Sequence, residues 1–188
     1  MTIRSIADSL GVAPMSLYSC FASRSELLDL MYFEVAGGMF PRGDIRDWKE
    51  GLRSVGRSIR EMLSEHPNWA PLLSRPAPPL VSPAREQLLE TLTSAGMSPE
   101  HAFTALSSVI LGSLGLMLVE LSLNEAGRES SLDERLESLK NAVATDTTQL
   151  VTRQALQRLD HFKLGAIHEQ SLHMLLKGFE SWTSNVDG

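Results

Sequence analysis

Between Asp47 and Glu65 the apolar residues Trp48, Leu52, Val55, Ile59 and Met62 recur at steps of 4, 3, 4 and 3. That repeat gathers them on one face of an α-helix and leaves the other face polar. Similar spacing runs along the chain, and no stretch of useful length alternates apolar with polar residues, so the expected fold is all-α. The 188 residues are 43% hydrophobic and 21% charged, enough apolar content for a packed core and too much for wholesale disorder. Aromatics contribute only 6%. Leu, Met and Ala carry much of the remainder, which suits helix packing better than a β-sandwich.

Helix starts are written in capping residues. Ser23–Glu26, Asp47–Glu50 and Ser131–Glu134 each set a capping side chain three residues before a glutamate, the spacing of a capping box. Ser82–Pro83 and Ser98–Pro99 put proline at the first helical position, where its missing N–H costs nothing. These signals predict short helices near 2–10 and 14–20, a longer one from Ser23 to about Val35, and another from Asp47 to about Glu65. Residues 66–83 hold a short helix at most and then a Pro-rich loop. Helices follow near 83–95 and 99–123, then two weaker ones near 132–143 and 148–160, and a last one over about 164–184. The run GGMFPRGDI, 37–45, breaks the pattern and divides the chain into a head, 1–40, and a body, 46–188.

The head carries the sharpest pattern. Ile3, Ile6, Ala7 and Leu10 make an apolar face, and Gly11 is able to end the helix in a positive φ. Val12 is expected to point back into a small core, and Pro14 opens a second helix with Met15, Leu17, Tyr18 and Phe21. The small Ala7 at the crossing lets two short helices approach. This is a helix-turn-helix, with the second helix placed to enter a major groove.

The stretch TIRSIADSLGVAPMSLYSCFASRSELLDLM, residues 2–31, resembles the reading head of the TetR (tetracycline-repressor) family of transcriptional regulators. Looser likenesses lie in HPNWAPLL at 66–73, TLTSAGMSPEHAFTALSSVILG at 91–112 and FKLGAIHEQSLHMLLKGFES at 162–181. The resemblance implies an Ω-shaped homodimer that binds a palindromic, double-stranded operator in successive major grooves and is released by a small-molecule effector. Carried over by position, Ala13, Met15, Ser16, Tyr18 and Ser19 face bases and backbone, aided by Thr2, Arg4 and Arg24. The effector would meet Met62, His66, Trp69, His101, Phe103 and Met117, with Ser107 a further polar candidate, inside a body built from the helices near 47–65, 83–95 and 99–123. Dimerisation would use the helices near 99–123 and 164–184, and Gly112 and Gly115 read as points of close helix contact. The family also has a helix ahead of the one beginning at Thr2, so the head as given is expected to be incomplete. The alternative is a dimeric ligand-binding protein with a truncated, non-functional head.

Charge and single residues bound the remaining classes. A formal net charge of −6 excludes a nonspecific nucleic-acid coat, though not one local reading face. The lone Cys20 excludes an internal disulfide and reads as a small filler in a reducing compartment. No apolar leader follows Met1. The apolar run Val109–Leu123 falls short of the roughly 20 residues of a bilayer span and contains Glu120, so it reads as a buried helix in a cytoplasmic protein with no membrane partner. His168 and His173 lie five apart, about 140° around a helix, and are not expected to share a metal. Neither a nucleophile elbow nor a phosphate-cradling glycine loop is present, so no enzyme activity, cofactor or metal is expected.

Overall fold

In a computed structural model of the chain, the described residues are 3–41, 43, 45–75, 82–126, 141 and 164–183. No strand occurs among them. Thr2, the capping box at Ser131 and, apart from Asn141, both weaker helices expected near 132–143 and 148–160 lie outside the described residues. The chain forms two compact units, Met1–Thr91 and Leu92–Gly188.

The first unit begins with α1 (Ile3–Leu10), α2 (Pro14–Tyr18) and α3 (Arg24–Gly37). It continues through α4 (Trp48–Glu65), a 3₁₀ turn (Pro67–Trp69) and α5 (Ala70–Leu73) into α6 (Pro83–Ser94). Among the described residues the starts at Ser23, Asp47, Ser82 and Ser98 each have their cap, with one difference of detail. Ser23 Oγ accepts the Glu26 N–H at 3.1 Å, and the Glu26 carboxylate accepts the Ala22 N–H at 2.6 Å. Asp47 caps Lys49 N–H at 2.9 Å, while the Glu50 carboxylate lies 3.6 Å from Arg53 and from Arg57. A charged, exposed Glu50 gains from two guanidinium neighbours, and the shorter Asp47 reaches its nearest orphan donor alone.

Of the face predicted for α4, Leu52, Val55 and Ile59 are wholly enclosed while Trp48 and Met62 are half-buried, and Leu63, beside Met62, is enclosed as well. Gly51 lies on the same face, so close to α6 that a Cβ there would meet Leu88 at 2.6 Å and Ile45 at 2.8 Å. α3 ends at Gly37 and α4 begins at Trp48, and of the described residues between them Met39 and Phe40 are buried. α3 packs on α5.

The second unit pairs α7 (Pro99–Ala126) with α8 (Leu164–Thr183). Ser98 caps α7 by accepting the His101 N–H at 3.2 Å. Leu172, Leu176 and Phe179 bury one face of α8, and Ala102, Ala105, Leu106, Val109 and Met117 bury one face of α7. His168 is enclosed and lies 3.0 Å from Ser113 through Nε2, while His173 is exposed, the divergence that their five-residue spacing requires.

Two expectations change here. α7 begins at Pro99 as expected and runs to Ala126, a little past the expected end near 123. Over Pro99–Ser122 it is long and apolar enough to cross a bilayer, and 33% of its most apolar window is buried within the chain. Gly112 and Gly115 are not points of close helix contact in this chain: a Cβ at either would have nothing within 4 Å. Both are exposed in the single chain.

Candidate DNA-reading head and ligand cavity

α1 ends where expected and for the expected reason. Gly11 takes a φ of 68°, with its N–H donating to Asp8 O at 3.3 Å and the Val12 N–H donating to Ala7 O at 3.1 Å. These are the paired bonds of a Schellman motif, which only a residue free of Cβ strain forms cheaply. Ala13 then turns extended (φ −67°, ψ 139°) and Pro14 opens α2. Ala7, wholly buried, sits where α1 and α2 meet.

The head's core is thinner than its apolar pattern implies. Among the described residues ahead of α3, only Ala7 and Phe21 are buried; Val12, expected to point inward, is 41% exposed and Leu10 is 62% exposed. Helices of eight and five residues present too little surface to enclose both faces of the turn between them.

That thin frame presents the predicted contact residues. Ala13, Met15, Ser16, Tyr18 and Ser19 are all exposed, Met15 by 77% and Tyr18 by 50%. Arg4 on α1 and Arg24 at the first position of α3 are exposed as well. Tyr18 leans on Phe21, with ring centroids 6.4 Å apart. Ser19 Oγ–H donates to Ser16 O at 2.7 Å, and the Cys20 thiol reaches the same carbonyl at 3.5 Å. The Ser19 hydroxyl proton is therefore committed locally, leaving its lone pairs to accept from an outside donor.

The ends of α3 and α4 line an open cavity of about 440 Å³. Its walls are Glu34, Val35 and Gly38 at the end of α3, Ser58, Glu61, Met62 and Glu65 on α4, and then His66 and Trp69. His66 ends α4: its N–H donates to Met62 O at 2.8 Å, and its φ of −128° with ψ 67° turns the chain into Pro67. The turn lays the imidazole on the Trp69 indole, centroids 4.1 Å apart and 24° from parallel. The volume falls in the range of small-molecule sites, which join apolar walls to a few polar groups.

Three of the six effector residues expected from the sequence, Met62, His66 and Trp69, thus line one cavity. The other three belong to the second unit. There His101 stacks on Trp182 at 4.5 Å, Phe103 is half exposed and Met117 is buried. Sequence reasoning missed Glu34, Val35, Gly38, Ser58, Glu61 and Glu65. Two of these carried a signal: Glu61 and Glu65 are like charges four apart on a helix, a pairing that costs a few tenths of a kcal/mol and invites a reason.

The comparisons with known proteins agree with this architecture. Residues 40–182 match the family model for the tetracyclin repressor-like C-terminal domain. The Tetracycline repressor protein class A from transposon 1721 of Escherichia coli is 30% identical over 184 residues, 95% of this chain and 80% of that protein. Among solved structures, a possible TetR family transcriptional regulator from Streptomyces coelicolor A3(2) matches with a TM-score of 0.69 at 28% identity, over 96% of this chain and 89% of that one. The Streptomyces coelicolor TetR family protein ActR, solved in complex with actinorhodin, has the same fold, with a TM-score of 0.78 at 20% identity over 98% of this chain and 89% of that chain. A family match over most of the chain, on an all-helical frame with a helix-turn-helix at its start, has one meaning: the chain belongs to the tetracycline-repressor (TetR) family of transcriptional regulators.

Proposed function

We propose that this protein is a cytoplasmic repressor that binds a palindromic operator as a homodimer and is released when a small effector enters the cavity between α3 and α4. One observation carries the reading. α3 starts at the head, capped by Ser23, and its other end supplies Glu34, Val35 and Gly38 to the cavity wall. A ligand that wedges α3 from α4 acts on the helix that carries the reading head, so occupancy and head position are linked through one rigid element. A ligand shifts such an equilibrium only by binding the two positions unequally, and a cavity bounded by the moving helix meets that condition.

In this reading residues 1–40 form the head and 46–188 the body. Ala13, Met15, Ser16, Tyr18 and Ser19 face the groove, and Thr2, Arg4 and Arg24 hold the backbone. The second copy covers the exposed face of α7 and α8, where Phe103, Leu111, Val119 and Met174 leave apolar surface in the single chain. The chemistry is binding alone, without catalysis. Proteins of this fold solved in complex with small molecules, ActR with actinorhodin and a TetR variant of Acinetobacter baumannii with minocycline, support a ligand-responsive role and leave the effector's identity to this chain's own cavity.

The test is selection of DNA from a random pool, followed by operator release across a metabolite set. An enriched inverted repeat, lost on adding a compound whose effect depends on Trp69, supports the proposal. A second reading, a ligand-binding dimer with no grip on DNA, draws on the exposed Leu10 and Val12 of the head. It predicts ligand uptake with no sequence enriched at all.

A further inference from the structure

We infer that the effector of this cavity is an organic cation, a flat or amphiphilic amine, amidine or quaternary ammonium. The inference rests on the reading of the α3–α4 cavity as the effector site and adds the chemical class of its occupant.

The electrostatics of the cavity point one way. α3 and α4 both bring their C-terminal ends to it, and the C-terminus of a helix carries the negative end of the dipole. Helices often answer that end with Lys, Arg or His; neither of these helices has a basic residue in its last turn, and the imidazole of His66 at the α4 C-cap is the one such group at either end. Each has glutamate instead: Glu34 near the end of α3, Glu61 and Glu65 in the last turns of α4. Three carboxylates and two negative helix ends thus face one space, and no Lys or Arg is among its lining residues. Among the described residues none of the three glutamates forms an ion pair. Of the three arginines of α4, Arg53 and Arg57 each lie 3.6 Å from the Glu50 carboxylate, and Arg60 is not among the lining residues.

Such an arrangement costs the helices stability and is relieved by a positive charge in the cavity. A compact metal ion does not fit it, because among the described residues no three His, Cys, Asp or Glu side chains converge closely enough to hold one. A cation whose charge is spread over, or attached to, a larger apolar body does fit. The stacked His66–Trp69 pair and Met62 offer that body an apolar wall, and tryptophan is the best of the side chains for receiving a cation on its face.

The test uses dyes of similar size and different charge with the full-length chain and no DNA: ethidium as the flat cation, anilinonaphthalene sulfonate as the anion and Nile red as the neutral probe. Fluorescence titration should give saturable ethidium uptake that weakens at least tenfold in the variant carrying Glu34→Gln, Glu61→Gln and Glu65→Gln. Uptake should also weaken as salt rises, because the charges are solvent-accessible and screened over about 8 Å at physiological ionic strength. The carboxamides keep side-chain shape and remove repulsion, so the variant should melt no lower than the parent; Glu65→Gln alone gives a smaller drop in uptake if the triple variant does not fold. Equal ethidium affinity in parent and triple variant, or preference for the anion, overturns the inference. The two failures are separable. If Nile red or the anion binds in a way that Trp69→Ala abolishes while the three glutamines change nothing, the cavity is the effector site and only the charge class is wrong. If no probe responds to Trp69→Ala, the effector-site reading falls and the inference falls with it.

Discussion

Arg75, just beyond the end of α5, forms an ion pair with Asp29 in the middle of α3, through Nη1 and Oδ1, with both side chains mostly buried. The pair joins the chain that leaves the His66–Trp69 turn to the helix that arrives from the reading head. It therefore closes a loop: α3 touches the cavity at Glu34 and is tied back, at Asp29, to the segment that follows the cavity's other wall. Arg75→Ala should cost about 1–2 kcal/mol, between the values for exposed and buried pairs, and should loosen α3. Hydrogen exchange should rise in α3 and α5 together, with α8 unchanged. The exchanged pair Asp29→Arg with Arg75→Asp should recover most of the loss; a rise in exchange confined to α5 alone would mean that the pair does not link the two helices.

On DNA, the exposed residues of the head should fall into two groups. Tyr18→Phe and Arg24→Ala should weaken binding almost equally on every sequence, as loss of a backbone contact does. Met15→Ala and Ser16→Ala should change which bases are preferred, since groove-facing side chains read base edges. Ser19→Ala should have a small effect, because its proton is already given to Ser16 O. With few basic residues on the head, the salt slope should be shallow, about 4–8 phosphates neutralised per dimer. Operator titrations at several salt concentrations, repeated on single-base variants, measure all of these.

The contact of α4 with α6 depends on the lack of a side chain at Gly51. Gly51→Val would drive methyl groups into Leu88, itself wholly buried, and into Ile45. Overpacking of this kind costs about 1–3 kcal/mol. Thermal unfolding should show the loss as a lower melting temperature, and the compensating change Leu88→Ala should return part of it.

The homodimer should depend on the exposed apolar face of the second unit. Leu111→Glu and Met174→Glu replace side chains that are 70% and 72% exposed within the single chain. Neither disturbs the α7–α8 core, so the monomer should stay helical. Each change should shift sedimentation from dimer toward monomer, consistent with an obligate interface on the order of 2,000 Å². Monomer formation without loss of circular dichroism is the expected result; an unchanged dimer would move the interface elsewhere.

What the sequence determined by itself was local. The period of Trp48, Leu52, Val55 and Ile59 set the buried side of α4, Gly11 ended α1, and Ser23, Ser82 and Ser98 marked helix starts, because caps and amphipathic spacing are properties of neighbours within a turn or two. Family likeness in residues 2–31 pointed to the reading head for the same reason: its contacts lie within one short supersecondary unit. The cavity was half legible. Met62, His66 and Trp69 lie within eight residues of one another, whereas Glu34, Val35 and Gly38 reach the same space from the far end of α3. Only tertiary packing sets two helix C-termini against one another, links Asp29 to Arg75 across 46 residues of chain, and leaves Gly112 and Gly115 open where close contact was expected. The reason is physical: helix periodicity tells which face is apolar, but the identity of what covers that face is settled by the packing of elements distant in sequence, and no local pattern encodes it.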